Sequence, residues 1–425
     1  MPVVSPRGTA DILPTEVGRW LEVEDAARRI ARLYGFEELR TPIFEHTELF
    51  TRGVGEATDI VQKEMYTFID KGDRSITLRP EGTAPIVRSY LEHKLSAWPK
   101  PVKFFYIGPM FRYERPQAGR MRQFHQFGVE AFGSEDARLD AEVIDAGARF
   151  YRELGITDLR LLLNSIGCPE CRPRYVEALS AYLRSRADEL CRTCRDRLER
   201  NPLRVLDCKE EGCGNVLAAA PVLDQNLCDG CWSHFETVKR LLGEIGISFE
   251  IAPRLVRGLD YYTRTVFEFV SDAVGAQDSL GGGGRYDGLV EKIGGDQTPG
   301  IGFAVGVERI LLALEKLRPT EPARWRPAVF VATAGGGIVR DRGFALLTEI
   351  RNQGVPADMD HAGRGLKSQM KQADRLGASF VVIVGEEELG RGVATLRRLA
   401  SGEQEEVGLA EAPRRLSELT KAEAL

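Results

Sequence analysis

Four polar side chains stand at spacings that would bring them together in a β-sheet: Arg112, Glu114, Gln126 and Glu130. They lie in the segment KFFYIGPMFRYERPQAGRMRQFHQFGVEAFG, from Lys103 to Gly133. Two strand-like runs joined by a basic turn predict a β-hairpin. A guanidinium, an amide and carboxylates would be costly to bury without partners. The pattern therefore predicts a ligand-binding sheet face, and the alternative is a solvated face.

The predicted hairpin has one polar and one apolar face. Alternate residues of a strand share a face, so the polar face comprises Phe104, Tyr106, Gly108, Met110, Arg112 and Glu114 with Phe124, Gln126, Gly128 and Glu130. The other face of the second run, Phe127, Val129 and Ala131, is expected to pack on a core. Gly108 and Gly128 favour close approach of a ligand or another backbone.

Two further motifs place polar side chains at the start of predicted helices. The turn RPEGT puts Glu81 and Thr83 before a helix that begins near Ala84, where either side chain could instead cap the helix. The run GFAVGVERI passes from a strand into a helix with Arg309 in its first turns. Such an arginine can face a phosphate or an adenine ring, or form a surface salt bridge.

All eight cysteines fall between Cys168 and Cys231, in four closely spaced pairs. Such pairs in a reducing compartment indicate zinc ligands before disulfides. Helical spacing from Pro173 to Leu190 would separate the first two pairs by about 27 Å. The preferred zinc site is therefore Cys191, Cys194, Cys208 and Cys213. A second could combine Cys168 and Cys171 with Cys228 and Cys231, and the alternative is free buried thiols.

Composition bounds the class of protein. A chain of 425 residues, 43% hydrophobic and 28% charged, predicts two to three ordinary globular domains. The N-terminal stretch lacks an apolar signal core, and runs such as Phe380 to Val384 are too short to span a bilayer, so we expect a cytoplasmic protein without a membrane segment. The net charge of -5 means that any RNA binding must use local basic patches.

The remaining elements position these groups. Helices are predicted from Thr15 to Leu33 and from Asp136 to Leu154, and a buried strand from Leu159 to Leu163. The glycine-rich stretch DSLGGGGRYDGLV predicts a loop in which glycines permit positive φ and close backbone approach. Neither GxxxxGK[ST] nor a correctly placed GxGxxG occurs, so any nucleotide is held another way.

The C-terminal quarter has a different pattern. A Pro-rich, charged linker is predicted around Leu317 to Pro327. Buried strands at Ala328 to Ala332 and Phe380 to Val384 alternate with helices, which is typical of a small α/β domain with parallel strands. One basic helical stripe is expected to carry Arg364, Lys367, Lys371 and Arg375. It could be a solvated face or could contact a phosphate backbone.

Taken together, the hairpin, RPEGT, RGLDYYTRTVFEF, GGGGRYDGL and GFAVGVERI resemble the histidyl-tRNA synthetase family, in that family's order. The resemblance covers essentially the whole chain. It implies an α+β class II catalytic core with a mostly antiparallel sheet at residues 1–325, with an inserted helical subdomain at about 165–250. It also implies a C-terminal α/β anticodon-binding domain at 328–425.

The resemblance implies that histidine is activated with ATP and Mg²⁺ to histidyl-adenylate and then transferred to the 3′ end of tRNA(His). Arg112 and Arg257 would hold the α-phosphate from two sides, and Arg309 would bind the far end of ATP. Glu114 is expected in the ATP site. The histidine site would comprise Glu81, Thr83, Gln126, Glu130, Tyr261, Tyr262 and Tyr286.

The resemblance also implies partners. Three arginines of the hairpin turn, Arg115, Arg120 and Arg122, would meet the tRNA acceptor end, and Arg364, Lys367 and Lys371 would face the anticodon arm. A homodimer is implied. The family does not require cysteines in the insertion, so zinc rests on spacing alone.

Two other functions remain open. A regulatory paralogue acts with ATP phosphoribosyltransferase without charging tRNA, but it lacks the anticodon-binding domain and usually the arginines at the positions of Arg112, Arg257 and Arg309. A zinc-dependent nucleic-acid-binding protein without catalysis would leave the polar hairpin face unexplained.

Overall fold

The computed structural model describes residues 2–56, 58–274, 279–319 and 326–423. The chain divides into two compact units, Met1–Pro322 and Ala323–Leu425. Residues 320–325, in the middle of the predicted linker, lie outside the described residues. No described helix has the length and apolar character required to cross a lipid bilayer.

The first unit is built on two sheets. Its strands are β1 (Glu37–Glu38), β2 (Phe44–His46), β3 (Tyr66–Ile69), β4 (Ser75–Leu78), β5 (Val102–Phe111), β6 (Gln123–Phe132), β7 (Leu159–Ser165), β8 (Glu250–Ile251), β9 (Thr263–Ser271), β10 (Ser279–Arg285) and β11 (Gly300–Gly306). The large sheet has the order β1-β5-β6-β11-β10-β9-β7-β8, and β2-β4-β3 form a small one. Among the described strands of this unit, only β1 with β5 and β7 with β8 pair in parallel. The mostly antiparallel sheet is confirmed.

The helices of this unit are α1 (Val17–Leu33), α2 (Thr47–Val54), α3 (Thr83–Glu92), α4 (Ala137–Glu153), α5 (Arg172–Ser185), α6 (Arg192–Arg200), α7 (Glu211–Ala218), α8 (Asp229–Glu244), α9 (Leu289–Ile293) and α10 (Val307–Leu317). Helices α1, α4, α8 and α10 share the main core with the sheet. Phe127, Val129 and Ala131 are buried in it, which confirms the predicted apolar face of the hairpin.

The insertion has a core of its own. Apolar residues of α5, α6 and α7 pack together with Leu190 and Val205. The helix expected to run from Pro173 to Leu190 ends at Ser185. A separate 3₁₀ turn, Ala187–Glu189, follows it, because the backbone of Arg186 leaves the helical region at φ -121° and ψ 19°.

The second unit is a five-stranded α/β domain. It contains β12 (Val329–Ala334), β13 (Ala357–Met359), β14 (Phe380–Gly385), β15 (Val393–Arg398) and β16 (Gln404–Gly408), with α11 (Ile338–Asn352), α12 (Leu366–Leu376), α13 (Glu386–Arg391) and α14 (Ala412–Glu423). Strands β13, β12 and β14 are parallel neighbours, as predicted.

The predicted basic stripe needs a correction. Lys367, Lys371 and Arg375 are exposed on α12. Arg364 precedes this helix, and its Nε lies 2.6 Å from Oδ1 of the buried Asp360. The stripe on the helix therefore contains three basic residues, and Arg364 is held beside it by an ion pair.

The predicted glycine loop is a strand. Gly281 to Gly284 form the middle of β10, between β9 and β11, and none of them has positive φ. The predicted close approach is confirmed, because a Cβ on Gly283 would lie 2.0 Å from the carbonyl oxygen of Gly302. Glycine is required here by the spacing of neighbouring strands rather than by a turn.

Arg285, at the end of β10, is fully buried beside the fully buried Asp140 of α4. Its Nη1 donates to the carbonyl of Ser134 at 2.8 Å. His234 Nε2 of α8 approaches the same carboxylate at 2.8 Å. Burial raises the pKa of Asp140, but hydrogen bonds from His234 and the charge of Arg285 hold it below its usual value. This network joins the glycine strand to two helices.

Replacing Arg285 with methionine keeps much of the side-chain length but leaves Asp140 without its buried cation. We expect the free energy of unfolding of the first unit to fall by about 3–5 kcal/mol. Urea denaturation followed by tryptophan fluorescence measures it, since Trp20, Trp98 and Trp232 lie in this unit. The matched control is Arg138→Met, on the exposed side of α4, with an expected change within about 0.5 kcal/mol. Equal effects of the two substitutions would contradict the role of the network.

Candidate active site

A cavity of about 270 Å³ opens on the polar face of the hairpin. The register pairs Phe104 with Glu130, Tyr106 with Gly128 and Gly108 with Gln126, which confirms the predicted shared face. The cavity brings together every residue that was expected to contact histidine or ATP: Glu81, Thr83, Arg112, Glu114, Gln126, Glu130, Arg257, Tyr261, Tyr262, Tyr286 and Arg309.

Glu130 is almost fully buried in this cavity, with 1% of its surface exposed. Thr83 Oγ1 donates to its Oε1 at 2.6 Å, and the hydroxyl of Tyr286 donates to its Oε2. Burial raises the pKa of Glu130 to about 8 despite these two hydrogen bonds. A cationic ligand group beside this carboxylate would favour its charged form.

Glu81, not Thr83, caps helix α3. Its carboxylate accepts hydrogen bonds from the backbone N–H groups of Thr83 at 2.7 Å and of Ala84 at 2.9 Å. The Thr83 hydroxyl donates its hydrogen bond to Glu130 instead. Burial raises the pKa of Glu81, and the two backbone donors oppose that shift. The helix entrance thus presents a second buried carboxylate to the cavity.

Tyr106 was seen on the polar face but was not assigned a role from sequence. Its ring lies where a Cβ on Gly82 or on Gly128 would sit, at 2.3 and 2.4 Å. Two neighbouring glycines that clear space for an aromatic ring are the signal that could have identified it. Its hydroxyl and Oε1 of Gln126 are buried without a hydrogen-bond partner among the described residues. Both atoms are therefore available to a ligand.

Three arginines line the same cavity. Arg112 follows β5, its Nε donates to the Pro80 carbonyl at 2.8 Å, and its guanidinium lies 5.5 Å from the ring centroid of Phe124. Nη1 of Arg257 lies 2.7 Å from Oε1 of Glu268. The Nη1 of Arg309 donates to the carbonyl of Ser279. These contacts fix each guanidinium before any ligand arrives.

Glu268 is a second residue that sequence reasoning missed. It lies on β9, binds Arg257, and accepts a hydrogen bond from Ser279 Oγ at 2.5 Å. A carboxylate inside the otherwise apolar run TVFEFV is the available signal, since a buried charge requires a partner.

The three arginines of the hairpin turn lie in different surroundings. Arg115 is exposed. Arg120 lines the cavity, with its Nε 3.2 Å from Oε2 of Glu114. The guanidinium of Arg122 stacks 3.8 Å from the ring centroid of Tyr113.

Both predicted groups of four cysteines come together in the insertion. In each group the Sγ atoms all lie within 4.8 Å of one another: Cys191, Cys194, Cys208 and Cys213, and Cys168, Cys171, Cys228 and Cys231. All eight are free thiols. Helix α5 lies between the first two pairs, and each of these pairs meets a later pair rather than the other.

The register of the hairpin separates the charges of the cavity. Glu130 lies opposite Phe104 near one end of the hairpin, whereas Arg112 lies just beyond the other end of β5. The site therefore suits a ligand that carries an ammonium group at one end and phosphates at the other.

Comparisons with known proteins agree with this geometry. The family model for histidyl-tRNA synthetase matches residues 8–310, and that for the anticodon binding domain matches residues 329–419. Histidine–tRNA ligases of Moorella thermoacetica and Desulforamulus reducens are 59% and 58% identical, over 95% and 96% of this chain and 96% and 97% of theirs.

A solved structure is also similar. The apo histidyl-tRNA synthetase of S. aureus superposes with a TM-score of 0.83 at 40% identity, over 98% of this chain and 100% of that one. These findings support the synthetase interpretation and give no support to the regulatory paralogue or to a non-catalytic nucleic-acid-binding protein. The chain belongs to the histidyl-tRNA synthetase family of class II aminoacyl-tRNA ligases.

Proposed function

We propose that this chain joins L-histidine to ATP in the cavity described above and then transfers the histidyl group to the 3′ end of tRNA(His). The observation that carries the proposal is the combination of two buried carboxylates with three oriented guanidiniums in a single cavity. Histidine and ATP together supply the matching groups, an ammonium ion and a chain of phosphates.

The first step requires alignment and charge neutralisation rather than an acid or a base. A carboxylate oxygen of histidine attacks the α-phosphorus, and pyrophosphate leaves with the electron pair of the broken bond. Negative charge builds up on the α-phosphate oxygens, where fixed donors lower the barrier. Arg112 and Arg257 neutralise this charge, while Arg309 holds the far end of ATP. Glu268 keeps Arg257 in place.

Mg²⁺ binds through one or two carboxylates together with phosphate oxygens. Glu114, which lines the cavity between Arg112 and Arg120, fits as such a ligand. When bound, the ion would neutralise part of the negative charge on the phosphates of ATP.

Histidine is recognised by the polar end of the cavity. Glu130 and Glu81 face its ammonium group, and Thr83 orients the carboxylate of Glu130. Gln126 and the tyrosines Tyr261, Tyr262 and Tyr286 enclose the ring, with Tyr106 beside them. An apolar amino acid would leave these buried groups unpaired, so the site rejects it without an editing step.

The tRNA is held at two places. The catalytic core comprises residues 1–325, with an insertion at about 165–250. Its hairpin turn meets the acceptor end of the tRNA through Arg115, Arg120 and Arg122. Residues 328–425 bind the anticodon arm through Arg364, Lys367 and Lys371. Exposed arginines and lysines suit phosphate contacts.

The chain works in the cytoplasm as a homodimer. Apolar side chains are exposed on and beside the small sheet, including Ile43, Phe44, Phe68 and Ile69. A cluster of this kind favours burial against a second copy.

A structural zinc ion binds Cys191, Cys194, Cys208 and Cys213. Sγ of Cys191 and Sγ of Cys208 lie 3.9 Å apart, and the Cys191 N–H donates to Sγ of Cys213 at 3.2 Å. The segment between these ligands carries Arg204, which donates to the carbonyl of Arg257 at 3.3 Å. The metal therefore supports a segment that contacts the catalytic arginine.

Purified chain is expected to exchange pyrophosphate into ATP only when histidine is present. Arg257→Ala lowers the exchange rate about 100-fold or more, because it removes a donor that acts on the developing charge. The matched control is Arg254→Ala, which removes an exposed arginine three residues earlier. An unchanged rate in Arg257→Ala, or exchange that is independent of histidine, would sink the proposed mechanism.

Histidine binding is expected to release a proton at neutral pH. Free Glu130, with a pKa of about 8, is largely protonated at pH 7, and the ammonium group of histidine favours the carboxylate. The affinity therefore rises with pH up to about 8, by at most about tenfold per unit. Calorimetry at about pH 7.5 in buffers of different ionisation enthalpy counts the protons, while the imidazole of histidine stays mostly neutral. Glu130→Gln abolishes this release; equal release by both proteins would contradict the assignment.

Metal analysis tests the zinc site. The variant Cys191→Ser/Cys194→Ser removes two of four ligands and is expected to lose about one zinc equivalent per chain. Circular dichroism checks that the variant is folded. Metal content equal to that of the unmodified chain would exclude this set of ligands.

A further inference from the structure

The other four cysteines lie at the root of the insertion, where the chain leaves the large sheet and returns to it. We infer that Cys168, Cys171, Cys228 and Cys231 form a second zinc site, distinct from the first, and that this site positions Arg172 against the histidine pocket. The metal site stands on its own geometry, and only its effect on the pocket rests on the proposed function.

Distances between the sulfur atoms fit a tetrahedral metal site. Sγ of Cys168 lies 3.7 Å from Sγ of Cys171 and 3.8 Å from Sγ of Cys228, and Sγ of Cys171 lies 3.8 Å from Sγ of Cys231. Zinc–sulfur bonds of about 2.3 Å in a tetrahedron place the sulfurs about 3.8 Å apart. A disulfide needs about 2.05 Å. The four thiols are therefore spaced as zinc ligands.

The local backbone is arranged around the first pair of sulfur atoms. Cys171 and Cys228 directly precede helices α5 and α8. The N–H of Cys168 donates to Sγ of Cys171 at 3.3 Å. Gly167 has φ +68°, and a Cβ there would lie 2.8 Å from the same sulfur. The backbone of the first pair is thus shaped around the sulfur of Cys171.

The site closes the insertion at its base. Cys168 and Cys171 follow β7, and Cys228 and Cys231 stand at the start of α8, which packs in the main core. One metal would join the outgoing and returning chains and enclose α5, α6 and α7 in a loop. The first site lies wholly within that loop, so the two metals have separate roles.

Arg172 connects this base to the histidine pocket. It follows Cys171 directly and donates to the carbonyls of Ile166 at 3.0 Å, Gly167 at 3.1 Å and Tyr262 at 2.5 Å. Tyr262 is buried and lines the active cavity. A metal on Cys171 fixes the first turn of α5 and with it this guanidinium. Arg172 is therefore a positioning residue for the Tyr261–Tyr262 backbone.

Metal content of the full chain tests the second site. We expect about two zinc equivalents per chain, one lost in Cys168→Ser/Cys228→Ser and the other in the matched variant Cys191→Ser/Cys208→Ser. Cobalt(II) bound in place of zinc should give thiolate-to-metal charge-transfer absorption that falls by half in each variant. One equivalent or less in the unmodified chain, or an unchanged content in Cys168→Ser/Cys228→Ser, would overturn the proposal.

A second variant distinguishes the loss of a metal ligand from unfolding of the chain. Cys168→His leaves three thiolates and an imidazole, a ligand set that still binds zinc. It is expected to retain both equivalents while weakening the cobalt charge-transfer absorption. Unchanged absorption would show that Cys168 is not a ligand.

The link to the pocket has its own readout. Arg172→Ala is expected to keep both zinc ions and to raise KM for histidine about tenfold, as for loss of charged hydrogen bonds, with little change in KM for ATP. Arg174→Ala, on the exposed side of α5, is the control. Equal changes in both KM values would refute the positioning role. Absence of any histidine-dependent exchange in the unmodified chain would refute the proposed function, while the metal content would still decide the site.

Discussion

Two buried carboxyl groups that lack an ion-pair partner are the constraint on which this active site depends. Neither Glu81 nor Glu130 forms an ion pair with a described residue, and burial raises the pKa of both. Their hydrogen bonds come from Thr83, Tyr286 and the first turn of α3, which orient the two carboxyl groups without supplying a positive charge. Burying a charged carboxylate alone is costly, so Glu130 is largely protonated at pH 7 in the free protein. A substrate that brings a positive charge favours the carboxylate form, and this coupling links the protonation of the site to substrate binding.

The rest of the catalytic unit makes this burial possible. Gly82 and Gly128 leave room for the ring of Tyr106, and the glycines of β10 bring three strands together beneath the cavity. Because glycine strands contribute little packing, the unit needs another source of rigidity. The buried pair of Arg285 and Asp140 supplies it by joining the end of β10 to α4. The motif GGGGRYDGL thus contains both a stretch of strand without side chains and the arginine that anchors this strand to α4.

Sequence reasoning predicted the hairpin, its polar and apolar faces and the residues that line the cavity, because alternation and charged residues on an apolar background are local signals. It also grouped the cysteines correctly, since the length of α5 restricts which pairs can meet. Three features depend on tertiary spacing and were missed or misassigned. The glycine run is a strand because of its neighbours, Glu81 caps α3 because Thr83 is drawn to Glu130, and Arg364 is drawn to Asp360. Nothing in the order of residues indicates these partners.

The central claim is that histidyl-adenylate provides hydrogen-bond partners for the unpaired polar atoms of the cavity. The most direct test is a crystal structure of the chain with a non-hydrolysable analogue of that intermediate. The account predicts that the analogue places its ammonium group beside Glu130, its phosphate mimic between Arg112 and Arg257, and polar atoms within hydrogen-bonding distance of the Tyr106 hydroxyl or Oε1 of Gln126. An analogue bound outside this cavity, or bound inside it with both of those atoms still unpaired, would contradict the account.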